Sequence, residues 1–364
     1  MKFSINQSEL NSVLGVVSKG AATRSTLPIL SGILIKASQG NLTLEATDMD
    51  QSIRCSTAAL IEEEGETVVP ARLLTDVIKN LPDAAIHFSY LNDSATIICD
   101  TSSFSLKTLD TEDFPRFPEI EEVSSINLPF KSFSTLVKRI ARVVSRDDSR
   151  PILSGVLIEV QDGVLKMVAT DSYRLALEEI AVDQINSEFS AVISGSFLID
   201  LASLSPEYET IELALSENQI IARYGNYTFI NRRIEGNYPN YKQLLPESTT
   251  TQVSFSTKQI LDAAKRVSLV SNNTSPIRLD IHTGSQTTQL SSTTQDLGAA
   301  QETISSTIEG EDVQIAFNAH YLIDGLISFA DKEIQLDLQG GVKPGIFKSK
   351  EGSFIYLIMP VRLS

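Results

Sequence analysis

The sequence predicts an α+β protein of three repeated domains. Each domain consists of two half-units, and each half-unit combines one helix with antiparallel strands. The first observation behind this prediction is a phrase at 27–35 (LPILSGILI) that recurs at 150–158 (RPILSGVLI) and, altered, at 275–281 (SPIRLDI). Its prolines are spaced by 123 and 125 residues. A period of that length is a whole domain, because solenoid and propeller units are far shorter.

Other landmarks keep the same register. Thr47-Asp48 recurs as Thr170-Asp171 and, loosely, between Thr294 and Asp296. The segment 69–74 aligns with 193–198 and with 317–322. We therefore predict domains at 1–124, 125–250 and 251–364, joined by short polar stretches near 121–125 and 247–252.

The first half-unit of each domain opens with a short strand, such as 3–5, followed by an amphipathic helix. In the first copy, apolar residues at helical spacing run from Leu10 to Val17. In the second copy one apolar face extends to Val144, and Lys138, Arg142 and Arg146 recur every four residues on the other face. The pattern predicts a helix with a basic stripe that continues through Arg146.

A hairpin follows the helix in each copy. It is clearest at 155–169, where Asp162-Gly163 is a strong two-residue turn signal, and the first copy turns at 38–41. The pattern then restarts with a strand at Val68-Val69, a helix over about 71–81, and alternating strands that turn near Asn92-Asp93. Three copies of this pattern give six similar half-units.

Composition is that of an ordinary folded protein. Of 364 residues, 42% are hydrophobic, which is enough for three domain cores. The N-terminal residues show no charged-then-apolar signal segment, and no apolar window reaches about eighteen residues. Cys55 and Cys99 lie in strand-like alternation, typical of buried, reduced thiols. We expect a cytoplasmic protein that does not enter a membrane.

The net charge of −16 is unevenly distributed. The window 2–24 has a net charge of +2, the window 128–150 has +4, and the window 255–278 has +3, which leaves −25 for the rest. Each window covers the first helical segment of a domain. Phosphate contacts need local positive potential, so a nucleic-acid partner stays compatible with an acidic chain.

The sequence contains no recognisable arrangement of catalytic residues. His87, His282 and His320 are scattered over different repeats, and no phosphate-binding loop, nucleophile elbow or zinc-binding histidine pair is present. The acid pairs Asp48/Asp50, Asp110/Asp113 and Asp147/Asp148 fit turn capping better than divalent-ion binding. We expect no catalytic residue, metal or cofactor.

Several phrases, in order and spacing, carry a family resemblance over the full length. They are MKF at 1–3, Arg24 with LPIL at 27–30, VPAR at 69–72, TDSYRL at 170–175, YPNY at 238–241 and IMPVRL at 358–363. Through them the chain resembles the bacterial sliding clamps, the beta subunits of DNA polymerase III. The resemblance implies the DNA clamp fold, with two copies closing head to tail into a ring of six domains, antiparallel sheets outside and helices lining the hole.

The implied activity is that of a non-catalytic processivity factor. Twelve helices about 10 Å apart would enclose a hole of roughly 28 Å, enough for duplex DNA and some water. The resemblance implies sequence-independent DNA contacts by a set of arginines: Arg24, Arg72, Arg142, Arg146 and Arg150. A solvated helix face is the other interpretation of any one basic helix, but three repeats agree in sign.

The second implied site is a groove for peptide tails of the DNA polymerase III alpha subunit, the clamp loader complex, other DNA polymerases and repair proteins. Its matching positions are Leu153, Thr170, Ser172, Tyr173, Arg174, Leu175, Pro239, Gln243, Leu244, Pro344, Leu357, Ile358, Met359, Pro360, Val361, Arg362 and Leu363. Leu175, Leu244 and Ile358 could equally be core residues. Gln243 replaces an arginine frequent in the family, so this position lacks the charge for a contact with partner acids.

The ring junction is implied at Leu269 and Val270, an apolar pair just after the third basic helix, although helix-end core packing remains open. Two other functions compete with the clamp hypothesis. A repeat-domain scaffold would bind peptides in the same trough without encircling DNA. An enzyme would need clustered His, Asp or Glu residues between repeats, which the sequence does not indicate.

Overall fold

The computed structural model describes residues 1–121, 123–182, 188–246, 248–271, 275–350 and 352–362. The chain divides into two compact units, one of Met1–Lys131 with Leu204–Arg233 and one of Ser132–Ser203 with Ile234–Ser364. Each unit contains one large and one small antiparallel sheet. None of the helices formed by the described residues is both long and apolar enough to cross a membrane.

The first repeat has two helices, α1 (Gln7–Val17) and α2 (Ala71–Asn80). Its strands are β1 (Lys2–Asn6), β2 (Gly32–Ser38), β3 (Asn41–Thr47), β4 (Gln51–Ala58), β5 (Leu60–Glu63), β6 (Gly65–Pro70), β7 (Ala85–Leu91), β8 (Ser94–Cys99) and β9 (Ser102–Lys107).

The second repeat has the helices α3 (Phe130–Ile140) and α4 (Gly195–Ala202). Its strands are β10 (Ser124–Pro129), β11 (Gly155–Gln161), β12 (Val164–Thr170), β13 (Arg174–Ala181), β14 (Phe189–Ser194), β15 (Thr210–Leu215), β16 (Gln219–Tyr224) and β17 (Tyr227–Arg232).

The third repeat has the helices α5 (Thr257–Val267) and α6 (Ala319–Ser328). Its strands are β18 (Thr251–Ser256), β19 (Ile277–His282), β20 (Thr287–Thr294), β21 (Gly298–Ser305), β22 (Thr307–Gly310), β23 (Val313–Phe317), β24 (Glu333–Leu338), β25 (Gly345–Ser349) and β26 (Ile355–Ile358).

The two large sheets share one strand order over eight strands, and the second sheet adds β22 at one edge. The first unit has β6-β2-β3-β4-β17-β16-β15-β10, and the second has β14-β11-β12-β13-β26-β25-β24-β18-β22. Strand β4 of the first repeat pairs with β17 of the second, just as β13 of the second pairs with β26 of the third. Successive repeats are therefore joined by the same backbone pairing. The small sheets run β5-β1-β7-β8-β9 and β21-β20-β19-β23.

The predicted local elements are largely confirmed. Helix α1 buries the periodic apolar residues from Leu10 to Val17, which removes their side chains from water. Strands β11 and β12 meet at Asp162-Gly163, whose φ angles of 51° and 78° fit the predicted two-residue turn. The repeated phrase forms a short 3₁₀ turn at Pro28–Ser31 and Pro151–Ser154, leading into β2 and β11.

The prediction that the helix and its basic stripe continue through Arg146 is wrong. Helix α3 ends at Ile140, and Ala141–Val143 tighten into a 3₁₀ turn that contains Arg142. The chain then leaves the helix because the Ser145 backbone N–H donates to the Leu153 carbonyl at 2.8 Å. Arg146 therefore lies beyond the helix.

Each of the three acid pairs contains a turn cap, as predicted. Asp48, Asp110 and Asp147 accept hydrogen bonds from backbone N–H groups two or three residues ahead. Cys55 and Cys99 are free and buried, also as predicted. Burial raises the pKa of the Cys55 thiol to about 12, which keeps it protonated and unreactive.

Candidate functional site

The turn between β12 and β13 is held by several side-chain hydrogen bonds to its own backbone. Thr170 Oγ1 donates to the Arg174 carbonyl at 2.8 Å and accepts from the Ser172 N–H at 3.1 Å. Asp171 Oδ1 accepts from the N–H groups of Tyr173 and Arg174. Ser172 adopts a left-handed conformation, φ 78°. These bonds rigidly project Tyr173 outward while Arg174 points inward.

Arg174 is the centre of a buried charge network, with its side chain only 9% exposed. Its Nε donates to Asp171 Oδ2 at 3.0 Å and its Nη1 to Asp324 Oδ2 at 2.8 Å. Its Nη2 reaches the Arg142 carbonyl at 3.4 Å, and Nη1 lies 3.5 Å from the Tyr356 hydroxyl. A guanidinium buried this deeply is stable because two carboxylates satisfy its charge and its donors.

An aromatic pair covers this network. The Arg174 guanidinium lies 4.3 Å from the centroid of the Tyr321 ring, a cation–π contact, and Tyr321 stacks with Tyr173 at a centroid distance of 6.3 Å. The Tyr173 carbonyl accepts from the Met359 N–H at 2.8 Å, next to the paired residues Arg174 and Ile358. Tyr173 stays 60% exposed, so an apolar ring is presented beside the C-terminal strand β26.

An apolar cluster lies in the same unit. It includes Leu175 and Leu357 together with Leu157, Leu177, Val168, Val192, Ile346 and Tyr241. Leu153, Thr170, Leu175, Leu357 and Ile358 are buried. The core interpretation therefore holds for Leu175 and Ile358, although Leu244 is exposed.

The other predicted groove residues lie nearer to solvent. Ser172, Pro239, Gln243, Leu244 and Met359 are exposed, while Pro344 and Pro360 are half-buried. Leu363 falls outside the described residues.

Val361 and Arg362 lie beside the small sheet of the third repeat. The Val361 N–H donates to the carbonyl of Ala316 in β23, and Val361 and Arg362 line a cavity of about 710 Å³ with Arg278 and Gln289.

Several tyrosines and one acid of this site were not predicted. They are Tyr238, Tyr241, Tyr321, Tyr356 and Asp324. Burial raises the pKa of Tyr356, Tyr238 and Tyr241 above the ordinary tyrosine value, so their hydroxyls stay protonated as donors. Tyr356 donates to the Tyr321 carbonyl at 2.7 Å. The sequence indicates Asp324 only indirectly. A buried Arg174 needs carboxylate partners, and the neighbouring sequence supplies only Asp171.

The predicted DNA-contacting arginines lie at the surface. Arg24 is exposed in an irregular segment, and Arg72 on α2 has a side chain 97% exposed. Arg142 and Arg146 are exposed, and Arg150 donates to Ser172 Oγ at 2.8 Å and pairs with Asp147 at 3.1 Å. Arg150 therefore contacts the same turn that projects Tyr173.

The predicted junction pair lies on a 3₁₀ turn, Ser268–Val270, directly after α5. Leu269 is 79% exposed, whereas Val270 is half-buried and its carbonyl accepts from Thr294 Oγ1 at 2.6 Å. Leu269 is therefore not helix-end core, and its side chain is open to contact by another surface.

Comparison with known proteins gives a match for each repeat. Family models for the DNA polymerase III beta subunit match residues 1–118 (N-terminal domain), 127–240 (central domain) and 242–362 (C-terminal domain). The beta sliding clamp of Streptomyces coelicolor is 32% identical over 378 aligned residues, covering 100% of both chains.

Solved structures agree with the sequence comparison. The Bacillus subtilis DNA polymerase sliding clamp is similar with a TM-score of 0.95 at 30% identity, covering 100% of both chains. A Pseudomonas aeruginosa sliding clamp bound to griselimycin is similar with a TM-score of 0.93 at 27% identity, again over both whole chains.

Proposed function

Because the chain belongs to the DNA polymerase III beta subunit family, the bacterial sliding clamps, we propose that two copies close head to tail into a ring around duplex DNA. As a member of this family, the chain consists of three clamp domains and is a non-catalytic accessory subunit. The ring tethers the replicative polymerase by topology, so that DNA synthesis becomes processive. The observation that carries the proposal is the ordered match of all three repeats to the three family domains.

The proposed DNA contacts follow from the charge distribution. Each first-helix window is basic in a chain whose remainder carries −25. Arg24, Arg72, Arg142, Arg146 and Arg150 are exposed, and they would meet phosphates without reading bases. Modest positive charge suits movement along DNA, because strong, dry contacts would hold the ring in place.

The proposed partner site is the groove beside Tyr173 and the C-terminal strand. Peptide tails of the polymerase alpha subunit, the clamp loader and repair polymerases would insert apolar side chains next to the exposed Tyr173 and Met359. Griselimycin, which the P. aeruginosa clamp binds, is a suitable probe, and we propose that it occupies this groove.

The proposed dimer contact is Leu269 docking into the first domain of the partner. Strand β9 ends its sheet on one side, and Phe104 on it, opposite the buried Ile97 of β8, is 39% exposed. Strand β21 likewise ends the small sheet of the third repeat. Unpaired sheet edges with apolar side chains are surfaces that a second chain can cover.

A linearisation experiment tests the ring. The protein is loaded by a clamp loader onto nicked circular DNA, and the DNA is then cut once. We expect retention on the circle, rapid loss after cutting, and retention again when both cut ends are blocked by bound protein. A scaffold bound to the DNA surface would stay on open-ended DNA, and that outcome would refute encirclement.

A further inference from the structure

The carboxylate of Asp324 is shared between two arginines of the second unit. Its Oδ2 accepts from Arg174 Nη1 at 2.8 Å, and its Oδ1 lies 3.9 Å from Arg142 Nη1. Arg142 also accepts, through its carbonyl, a bond from Arg174 Nη2. The two guanidiniums differ in environment, since the Arg174 side chain is 9% exposed and that of Arg142 is 39% exposed.

These contacts form one continuous chain of groups. Arg142 is a proposed DNA contact on the 3₁₀ turn after α3, whereas Arg174 lies under the Tyr321 ring, which in turn stacks on Tyr173. Asp324 is the only one of these residues that ion-pairs with both arginines among the described residues. Asp324 therefore links Arg142 to the guanidinium of Arg174, which lies against the aromatic pair.

We propose that Asp324 is a positioning residue that couples DNA engagement at Arg142 to the peptide groove at Tyr173. The inference rests on the proposed function, because it requires Arg142 to face DNA and Tyr173 to line the groove. When a phosphate draws Arg142 away, Asp324 is left with Arg174 alone and holds that guanidinium more firmly beneath Tyr321. DNA then favours the ordered groove, and a bound peptide favours DNA by the same factor.

The size of the effect follows from the weaker of the two pairs. A partly exposed ion pair contributes little, so withdrawing Arg142 changes groove affinity by about threefold. That is at the small end of allosteric coupling but within reach of titration calorimetry.

The test measures the dissociation constant of griselimycin with and without a saturating short DNA duplex at low salt. We expect about threefold tighter binding with the duplex in the unchanged protein. Asp324→Asn and Arg142→Gln should each bring the ratio of the two constants to one. The exposed Glu309→Gln variant should keep the threefold ratio. The ratio is the readout, because a purely structural defect would weaken binding equally in both conditions.

Two separate measurements distinguish failure of the coupling from failure of the groove or DNA assignments. Tyr173→Ala should weaken griselimycin without DNA, and duplex binding is followed by fluorescence anisotropy. If both assignments hold while the unchanged protein gives a ratio of one, or Asp324→Asn keeps the full ratio, the coupling is overturned. If Tyr173→Ala leaves affinity unaltered, the groove assignment and the coupling fall together.

Discussion

Arg174 is a charged side chain that folding has placed almost wholly out of water, and its pairing with Asp171 and Asp324 decides its effect on stability. A buried ion pair adds little by itself, but removing one partner leaves a buried charge without compensation. We expect Arg174→Ala to lower the free energy of unfolding by about 3 kcal/mol in urea titration. The exposed pair of Lys350 with Glu333 gives the control: Lys350→Ala should cost less than about 1 kcal/mol. Equal losses in both variants would contradict the buried-network interpretation.

Glu178 is a buried carboxyl whose charge is only half satisfied. Arg139 Nη1 donates to its Oε1 at 2.7 Å, but its Oε2 has no hydrogen-bond partner among the described residues. Burial raises the pKa of Glu178 above its ordinary 4.5, Arg139 opposes that shift, and Asp331 adds to it. The folded state therefore binds the Glu178 proton more tightly than the unfolded chain does.

The consequence is a pH-dependent loss of stability. Because the folded pKa is raised, the stabilising contribution is present below about pH 4.5 and is lost as pH rises through the folded pKa. We expect the free energy of unfolding of the unchanged protein to fall relative to Glu178→Gln over that window. Denaturant titrations of both proteins at several pH values measure the difference. The exposed Glu309→Gln should run parallel to the unchanged protein, and a parallel curve for Glu178→Gln would contradict the assignment.

The sequence predicts those turns and strands that depend on neighbouring residues. The turns at Asp162-Gly163 and Asn92-Asp93 are marked by residues that tolerate positive φ, and both lie where predicted. The end of α3 was not predictable from periodicity. It depends on the bond from Ser145 to Leu153, and the first repeat makes the equivalent bond from Ala22 to Leu30.

The Thr47 turn of the first repeat is a copy of the Thr170 turn. Thr47 Oγ1 accepts from the Met49 N–H and donates to the Gln51 carbonyl, and Met49 has φ 81°. The Asp50 carbonyl accepts from the Arg232 N–H, as the Tyr173 carbonyl accepts from Met359. The backbone is kept, but Asp50 and Arg232 stand where the second unit has Tyr173 and Met359. Side-chain chemistry alone therefore distinguishes the proposed groove from its polar counterpart.

Replacing Tyr173 by aspartate gives the second repeat the residue that the first repeat has at this position, Asp50. We expect Tyr173→Asp to weaken griselimycin about 30-fold or more, because an exposed aromatic anchor is replaced by a charge in an apolar groove. Calorimetry gives the affinity, and an unchanged unfolding curve shows that the fold is intact. The matched variant Asp50→Tyr should leave the affinity as it was. If Tyr173→Asp binds normally, Tyr173 is not part of the groove.

Sequence order and repeat register were enough to predict the domain class of this chain, but not the chemistry of its site. Arg174 and Asp324 are 150 residues apart and lie in different repeats. No local pattern connects them, because the pairing of β13 with β26 is what brings the two repeats together. The groove positions carried over by resemblance included core residues such as Leu175 for the same reason: resemblance assigns positions, whereas burial depends on packing.

The proposed ring requires that Leu269 be covered by a second copy. The Leu269 side chain is 79% exposed. Burying it in an apolar pocket of the partner removes apolar surface from water, which favours association of the two chains. We expect Leu269→Asp to convert the dimer to a monomer, and Leu269→Ala to weaken it, as measured by light scattering over a dilution series. Val270→Asp is less informative, since Val270 is half-buried and its carbonyl holds Thr294.

Val342 is the matched control, because it is another highly exposed apolar residue of the third repeat, 82% exposed on the turn before β25. Val342→Asp should leave the dimer mass unaltered, since the expected loss comes from one docking side chain and not from surface charge in general. The monomeric Leu269→Asp protein should also fail to remain on circular DNA after loading, because an open ring cannot be retained by topology. A Leu269→Asp protein that still has the dimer mass would place the junction elsewhere.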